Sequence, residues 1–212
     1  MRGFRYLAVA TVTAGLLAGP AVTAASAAPA AAARPAAAQA APGAELRGGA
    51  TTVTTGPGIA AALLKNGIVP RATGRARESV RPGRSGPAVR FTFPVTGGRV
   101  TLSPLGGKIS HRGGILFVNK NNGDRVRVSR FIVDLTHADL TGIVNGNPHA
   151  RVALFRLDLS HAKLAASRCT VTARGIGLRL TRTAARALNG ALGTRLFSAG
   201  LRLGTARTLL RV

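Results

Sequence analysis

Apolar and polar residues alternate along most of the chain from about residue 88 onward. In VRFTF, residues 89–93, and RVTL, residues 99–102, every second residue is apolar. Glycine- and asparagine-rich segments such as NNGD at 121–124 and NGNP at 145–148 separate these runs, and such segments favour reversals between antiparallel strands. The same period of two, which predicts strands that bury one face, recurs at 125–135, 149–160 and 167–180.

Two irregularities interrupt this alternation. Thr-Gly-Gly at residues 96–98 predicts a turn between two strands. Near Ser129 and Arg130 the apolar parity switches, so that Val128 lies on one face and Phe131 on the other. An extra residue in a strand has this effect, and a β-bulge is therefore predicted there.

Two short segments have helical periodicity instead. Residues 56–70, GPGIAAALLKNGIVP, follow Thr55, a residue that can cap a helix. Residues 181–193, TRTAARALNGALG, place apolar side chains at every fourth position, with Thr181 as N-cap and a glycine as terminator. The sequence therefore predicts a mainly β domain, an antiparallel β-sandwich or barrel-like sheet with a short helix near each end.

The N-terminus has the features of a Sec-type signal peptide. MRGFRY is basic, an apolar run follows, and Ala-Ser-Ala at 25–27 is a small-x-small cleavage site, so residues 1–27 are predicted to be removed on export. Residues 28–50 are mostly alanine, proline and glycine, which cannot bury enough apolar surface to fold, and they predict a disordered spacer. A single β-rich domain is predicted over residues 51–212.

Positive charge dominates the composition. Thirty basic residues against six acidic ones give a net charge of +24, and loss of Arg2 and Arg5 with the leader leaves +22. Arginine-rich, lysine-poor usage behind such a leader indicates an actinobacterial genome. So basic a chain favours anionic partners, and the expected ones are anionic wall polymers or a membrane surface.

Specific binding to nucleic acid is not expected. Proteins that bind it concentrate basic residues on one face and interleave aromatic residues for stacking, whereas the arginines of this chain are spread along its whole length. The densest basic run, RATGRARESVRPGR at residues 71–84, is broken by glycine and proline and is predicted to be a loop.

A ten-residue unit occurs twice, as FIVDLTHADL at 131–140 and FRLDLSHAKL at 155–164. An acid, a hydroxyl and an imidazole together suit a metal site, half of a catalytic apparatus, or one strand-and-turn unit used twice. Aspartate and hydroxyl side chains near a reversal commonly bond backbone amides. The two copies are expected on second-neighbour strands with ends about 10 Å apart. The turn interpretation is therefore favoured, and no metal site is assigned.

Candidate chemistry elsewhere is sparse. No nucleophile elbow, zinc-protease, Walker or dinucleotide-binding motif is present, so no catalytic residue is assigned and the protein is expected not to be an enzyme. The single cysteine, Cys169, is expected to be a buried strand residue. His111 has the parity of Ile109 and is expected to point inward, either as a satisfied structural residue or beside a flat ligand that the neighbouring glycines let approach.

A resemblance to known proteins extends over roughly residues 51–212. FTFPVTGGRVTLSPLGGKISHRGGILFVN and LTRTAARALNGALGTRLFSAGLRLGTA resemble a group of uncharacterised secreted actinobacterial proteins. The order of elements is more distantly similar to the HtaA-type haem-uptake domain of actinobacterial surface proteins. The hairpin histidine of that domain corresponds to His111, and its late tyrosine position corresponds to Phe197. Phenylalanine cannot ligate iron, and the only tyrosine is Tyr6 in the leader.

Three functions remain open from the sequence. The favoured one is an exported, strongly basic, non-catalytic binding or structural domain, either secreted or held non-covalently at the cell wall, without a cofactor. The alternative, implied by the resemblance, is binding of haem or another flat ligand through His111, with Phe197 as the second candidate ligand-binding residue. The third is an envelope hydrolase with an unrecognised site.

Overall fold

The computed structural model describes residues 43–83 and 86–212 of the protein. This part of the chain contains thirteen strands and two helices. In chain order these elements are β1 (Ala44–Glu45), β2 (Gly48–Thr55), α1 (Ile59–Lys65), β3 (Ile68–Thr73), β4 (Arg77–Arg81), β5 (Ala88–Leu102), β6 (Leu105–His111), β7 (Gly114–Asn119), β8 (Arg125–Asp134), β9 (Asp139–Val144), β10 (Arg151–Asp158), β11 (Lys163–Ala166), β12 (Thr170–Leu180), α2 (Arg182–Leu192) and β13 (Arg202–Arg211).

Eight strands form a closed antiparallel barrel. Hydrogen-bonded neighbours run in the order β2-β5-β6-β8-β9-β10-β12-β13, and β13 pairs again with β2. The other strands extend this ring: β1 and β4 pair with β5, β7 pairs with β8, β3 with β7, and β11 with β12. The predicted mainly β antiparallel fold is confirmed, and of its two forms the structure has the barrel.

β5 continues through residues 96–98, and the turn predicted there is wrong. A register shift near Gly97 bends the strand without reversing it, and the reversal into β6 follows Leu102. Close pairing of β5 with β6 requires glycine, because a β-carbon at Gly98 would overlap the carbonyl oxygen of Lys108. The glycines that suggested a turn instead let two strands approach each other.

The predicted bulge in β8 is confirmed. The register between β8 and β9 shifts between Ser129 and Ile132, and Arg130 has a φ of 50°. Before the bulge β8 pairs with β7, and after it β8 pairs with β6. The bulge thus divides β8 into a half that carries the β7–β3 extension and a half that closes the barrel.

The basic run at 71–84 is largely strand, so the loop predicted there is wrong for its described part. β3 and β4 occupy it, and Glu78 links them by accepting hydrogen bonds from Nη1 of Arg71 at 2.9 Å and from the amide of Ala72 at 2.6 Å. β4 is exposed along its whole length. The alternation that reveals a half-buried strand is absent from it for that reason.

The sheet begins before residue 51. β1 and the start of β2 lie in the segment 28–50 that the sequence assigned to a spacer, and the side chain of Leu46 between them is buried. Residues 43–50 are therefore part of the folded domain. The predicted signal peptide at 1–27 and the rest of the predicted spacer lie outside the described residues.

Cys169 is exposed, contrary to the prediction of a buried strand residue. β12 begins only at Thr170, so the cysteine lies in the reversal that follows β11. Its carbonyl oxygen accepts a hydrogen bond from the amide of Val212 at 3.1 Å. The backbone of Cys169 therefore joins the two chain segments at the end of the β12–β13 pair.

Only one of the two helices begins as predicted. Thr181 caps α2 by accepting from the amide three residues later, and α2 ends at Gly193, which has a φ of 58°. The N-cap of α1 is Gly58, whereas Thr55 Oγ1 accepts from the amide of Val89. Neither helix of the described residues is long and apolar enough to cross a membrane.

α2 packs against β7, β8 and β10 through one apolar face. Ala184, Leu188 and Leu192 on this face are buried, at the spacing that the sequence predicted. Asn119, at the end of β7, donates through Nδ2 to the carbonyl oxygen of Leu192 at 2.7 Å. This bond satisfies a helix C-terminal carbonyl and fixes α2 to the sheet.

Replacing Thr181 with alanine is expected to destabilise the fold by about 1–2 kcal/mol. The change removes the N-cap bond and the bond that Thr181 Oγ1 donates to the carbonyl oxygen of Ala153 at 2.6 Å. Thr183→Ala, on the exposed side of the same helix, is the matched control and should alter stability by less than about 0.5 kcal/mol. Urea unfolding measures both variants, and equal stabilities would contradict the capping role.

Candidate functional site

The barrel encloses an apolar cavity of about 90 Å³. Aliphatic side chains from β2, α1, β7, β8, β9, β12 and β13 form part of its wall. Phe93 and Phe131 meet edge to face with ring centroids 5.0 Å apart, an arrangement that aromatic rings favour. Every phenylalanine of the described residues lines the cavity: Phe91, Phe93, Phe117, Phe131, Phe155 and Phe197.

Among the described residues that form this wall, His111 is the one with a titratable side chain. It is the last residue of β6 and is only 6% exposed. Its Nε2 lies 2.7 Å from Oγ1 of Thr51, which in turn lies 3.0 Å from Oγ1 of Thr208. Its Nδ1 is buried and has no hydrogen-bond partner among the described residues. Buried polar atoms without a partner are rare, because leaving them unpaired costs free energy.

Burial keeps His111 uncharged at neutral pH. Removal from water lowers the pKa of His111 from its usual 6.5 to about 4, against a smaller opposing effect of the Phe131 and Ile109 backbone. The backbone of these two residues is near enough to affect the pKa of His111. No described group, however, forms a hydrogen bond of good geometry with Nδ1. Because Thr51 occupies Nε2, Nδ1 is the ring nitrogen left without a partner, and it is a donor or an acceptor according to the tautomer.

A second apolar cavity of about 60 Å³ adjoins the first. Its wall includes Leu135 and Leu159, the leucines that follow the aspartates of the repeated motif. The interior of the barrel therefore contains two unfilled spaces, separated by a partition of side chains that line both. That partition is formed by Thr51, Val53, Val133, Leu140 and Leu178.

The structure brings the two sequence-predicted site residues, His111 and Phe197, to the same cavity. Asn189 of α2 positions Phe197, since it donates to the carbonyl oxygen of Phe197 at 2.7 Å and accepts from its amide at 3.0 Å. The Phe197 ring meets that of Phe117 edge to face, with centroids 6.5 Å apart. Their role in binding a ligand stays a prediction.

The barrel is similar to known protein structures. The C-terminal domain of HtaA from Corynebacterium glutamicum aligns with 77% of this chain and 98% of that one, with a TM-score of 0.52 and 13% sequence identity. The domain shares the HtaA-type fold. A domain-swapped dimer of a variant of that HtaA domain gives a TM-score of 0.49 and 15% identity, over 73% and 87% of the two chains. No protein-family model and no curated protein matches the sequence.

Within this HtaA-type fold the two copies of the repeated motif form reversals. Oδ1 of Asp134 accepts from the amides of Thr136 and His137, and Oδ1 of Asp158 accepts from the amide and the hydroxyl of Ser160. The copies end β8 and β10, which are second neighbours across β9. The strand-and-turn interpretation is therefore confirmed. Residues 43–83 and 86–212 contain no group of three His, Cys, Asp or Glu side chains arranged to hold a metal ion.

The two motif aspartates are ionised in the folded protein. Desolvation acts to raise the pKa of Asp134, but hydrogen bonds from His137 and the charges of His137 and Lys108 hold it below its usual value. The hydroxyl and amide of Ser160, followed by Arg179, lower the pKa of Asp158 to about 2. Both carboxylates therefore act as charged acceptors for backbone amides.

Thr51 and Thr208, the polar residues that complete the His111 site, were not predicted from the sequence. Each is two residues from an inward apolar residue, Val53 or Leu210, so the alternation of β2 and β13 does place it inside the barrel. The signal for burial was present. Their bond to each other joins positions 157 residues apart in the sequence, and only the strand order brings them together.

Stability is expected to fall as the pH decreases from about 6.5 to about 4. The pKa of His111 is lower in the folded state than in the unfolded state. The resulting contribution to the free energy of unfolding is therefore complete above the unfolded-state pKa and is lost as the pH falls toward the folded-state pKa. The shift corresponds to about 3 kcal/mol. Urea unfolding of His111→Gln, which cannot titrate, should show a flatter profile in this window.

The exposed residue His149 supplies the control for this measurement. His149→Gln should keep the pH profile of the unsubstituted protein. If His111→Gln also keeps it, a different group governs stability in this window and the assignment of a buried, neutral His111 is wrong.

Proposed function

We propose that the protein is an exported, strongly basic, non-catalytic binding domain of the cell envelope or extracellular space, and that its barrel holds a flat, mainly apolar ligand beside His111. One observation carries the proposal. In an otherwise apolar cavity lies a histidine whose Nδ1 is buried and without a partner among the described residues. Apolar walls with one placed polar group are typical of sites that bind small molecules.

The aromatic lining favours a flat ligand. Six phenylalanines surround the cavity, and aromatic rings attract one another in edge-to-face or offset geometry beyond the effect of buried area. The cavity of about 90 Å³ is of the same order as an apolar cavity of about 150 Å³ that binds benzene. The ligand that suits this interior is therefore a small ring system with one hydrogen-bonding group for Nδ1.

The protonation state of His111 supports binding over proton transfer. A general acid or base works best with a pKa near the pH at which it operates. Burial lowers the pKa of His111 to about 4, and the rest of the cavity wall has no titratable side chain. A neutral imidazole fixed by Thr51 is suited to orient a ligand through a hydrogen bond.

Export is supported by the sequence of the leader, which has a basic start, an apolar run and the small-x-small site at 25–27. The net charge of +22 that remains without Arg2 and Arg5 supports retention near anionic material outside the cell. Together these features suggest a binding domain that is secreted or held at the wall without a covalent anchor.

Haem is the second candidate, and the fold similarity together with the neutral imidazole favours it. The donor fits haem iron, because a neutral histidine nitrogen is an ordinary axial ligand. The cavity is too small for haem, because its volume is about 90 Å³, whereas pockets for larger ligands occupy about 300–1,000 Å³. The proposal is therefore for a ligand smaller than a porphyrin, and hemin serves as a separate arm of the test.

Indole, a small neutral fluorescent ring compound with one N–H group, is expected to bind the purified protein saturably. Its neutrality prevents attraction to the basic surface, and the absence of tryptophan from the chain keeps the background fluorescence low. Val53→Phe places a ring in the partition between the cavities and should weaken binding at least about tenfold by occupying the space. Fluorescence titration measures the affinity.

Val80→Phe is the matched control, because Val80 is 65% exposed and remote from the cavity wall. Circular dichroism confirms that both variants fold. Equal affinity of Val53→Phe and the unsubstituted protein would contradict the cavity as the binding site. In the hemin arm, a saturable Soret shift that His111→Ala abolishes and His149→Ala keeps would favour haem, whereas an unchanged spectrum would remove it.

A further inference from the structure

The outer side of the barrel carries an unusual arrangement of threonine and arginine on five consecutive strands, β4, β5, β2, β13 and β12. In register across them, Arg77 lies opposite Thr92, Thr92 opposite Thr52, and Thr52 opposite Arg207. Oγ1 of Thr52 and Oγ1 of Thr92 are 3.2 Å apart. Side chains at these positions therefore form one continuous row on the surface.

A second row lies beside the first. Ser79 is opposite Arg90, Arg90 opposite Thr54, and Thr54 opposite Thr205. At the β12 end, Arg174 falls in the register shift next to Arg207, where β12 and β13 bulge. We name this surface the Arg/Thr face, defined by its arginines Arg77, Arg90, Arg174 and Arg207 and its threonines Thr52, Thr54, Thr92 and Thr205.

The face is free of carboxylates among the described residues that point outward on these strand segments. Glu78 alternates to the other side of β4 and pairs with Arg71. Asp158, on the neighbouring β10, pairs with Arg179. None of the four arginines of the face takes part in an ion pair between described residues. Their charge is therefore available to an external anion.

A groove runs over the middle of the face. It has a volume of about 330 Å³ and is lined in part by Thr52, Thr54, Arg90, Thr205 and Arg207. Nε of Arg90 is buried and has no hydrogen-bond partner among the described residues. Threonine hydroxyls and arginine N–H groups that are close together provide neutral and charged donors for the same anion.

The spacing of the charges selects an extended partner. Arg77 and Arg207 are three strand intervals apart, about 14 Å at the usual strand spacing. A polymer that carries anionic groups along its length can contact the arginines at both ends of the row at the same time. Guanidinium groups match phosphate oxygens with paired hydrogen bonds, so a polymer that carries phosphate groups is complementary to the face.

Two other classes of polyanion fit less well. Single-stranded nucleic acid is bound by aromatic residues that stack on bases, and the face has no aromatic side chain. An anionic membrane is bound by basic residues together with apolar ones that insert between lipids. Of the described residues that line the groove, Leu209 alone is a large exposed apolar residue, and it is 40% exposed.

We propose that the Arg/Thr face is a binding surface for an extended, phosphate-bearing polymer of the cell envelope. It acts independently of the ligand in the barrel, because the two use opposite sides of the same strands. The inference adds a defined location and a chemical class to the general attraction that net charge produces.

Long-chain polyphosphate is the probe for this surface, and calorimetric titration at low salt measures its binding to the purified protein. The triple variant Arg77→Gln/Arg90→Gln/Arg207→Gln should bind at least about tenfold more weakly. The matched control Arg125→Gln/Arg186→Gln/Arg195→Gln removes the same charge from exposed positions outside the face and should lose less than about threefold. The slope of log affinity against log salt should decrease by about 2 to 3 in the first triple variant only.

Equal losses in the two triple variants would overturn the proposal, because binding would then depend on net charge alone. Orthophosphate that competes as well as polyphosphate at equal phosphate concentration would overturn the extended site. Tighter binding of single-stranded DNA, or loss of binding to anionic phosphatidylglycerol vesicles in parallel with loss of polyphosphate binding, would favour another partner and overturn the assignment.

Thr205→Glu, which places a negative charge inside the groove, gives an independent test and should also weaken polyphosphate binding about tenfold.

Discussion

Closure of the sheet is the constraint on which the rest of the structure depends. β6 must pair with β5 on one side and with β8 on the other, and this requires very close backbones. Glycine makes that approach possible, because a β-carbon at Gly107 would overlap the carbonyl oxygen of Arg99. Once closed, a ring of eight strands has an interior just wide enough for side chains or one small ligand. Every inward-pointing residue must then fill or line that space.

The same alternation creates both proposed binding surfaces. In β2 and β13 the inward residues Thr51 and Thr208 support His111, whereas the outward residues Thr52 and Arg207 belong to the Arg/Thr face. Burying a whole guanidinium group without a partner is costly, so the arginines of the described residues lie on the outside of the barrel. The interior tolerates His111 because burial keeps its imidazole neutral. One sheet therefore separates an apolar, aromatic inside from a basic outside.

Period-two alternation predicted the class of fold and the inward side of the strands, including the side on which His111 lies. It did so because a barrel strand buries one face and exposes the other. It failed at β4, which is exposed along its length and shows no alternation, and at Gly98, where glycine permits pairing instead of a turn. Helix capping was predicted correctly for Thr181, whose hydroxyl accepts from the amide of Ala184 while it donates to Ala153. Thr55 instead bonds a distant strand.

The candidate site was predictable residue by residue but not as an arrangement. The alternation of apolar and polar residues indicated that His111 points inward, and the resemblance indicated Phe197. Neither signal shows that the two residues line one cavity together with phenylalanines from four strands. That arrangement depends on strand order, which is set by contacts between residues far apart in the chain. The unpartnered Nδ1 of His111 likewise follows from the positions of Thr51 and the surrounding rings.

The central claim is that a closed barrel holds a neutral histidine whose free nitrogen serves a ligand in the apolar interior. Nitrogen-15 NMR of histidine-labelled protein tests it most directly, with His111 assigned by the loss of its signals in His111→Gln. The account predicts an uncharged His111 imidazole at a pH about one unit below its usual pKa, and a shift of its Nδ1 resonance when the protein is saturated with indole. A charged imidazole at that pH, or an Nδ1 resonance that does not move on saturation, would contradict it.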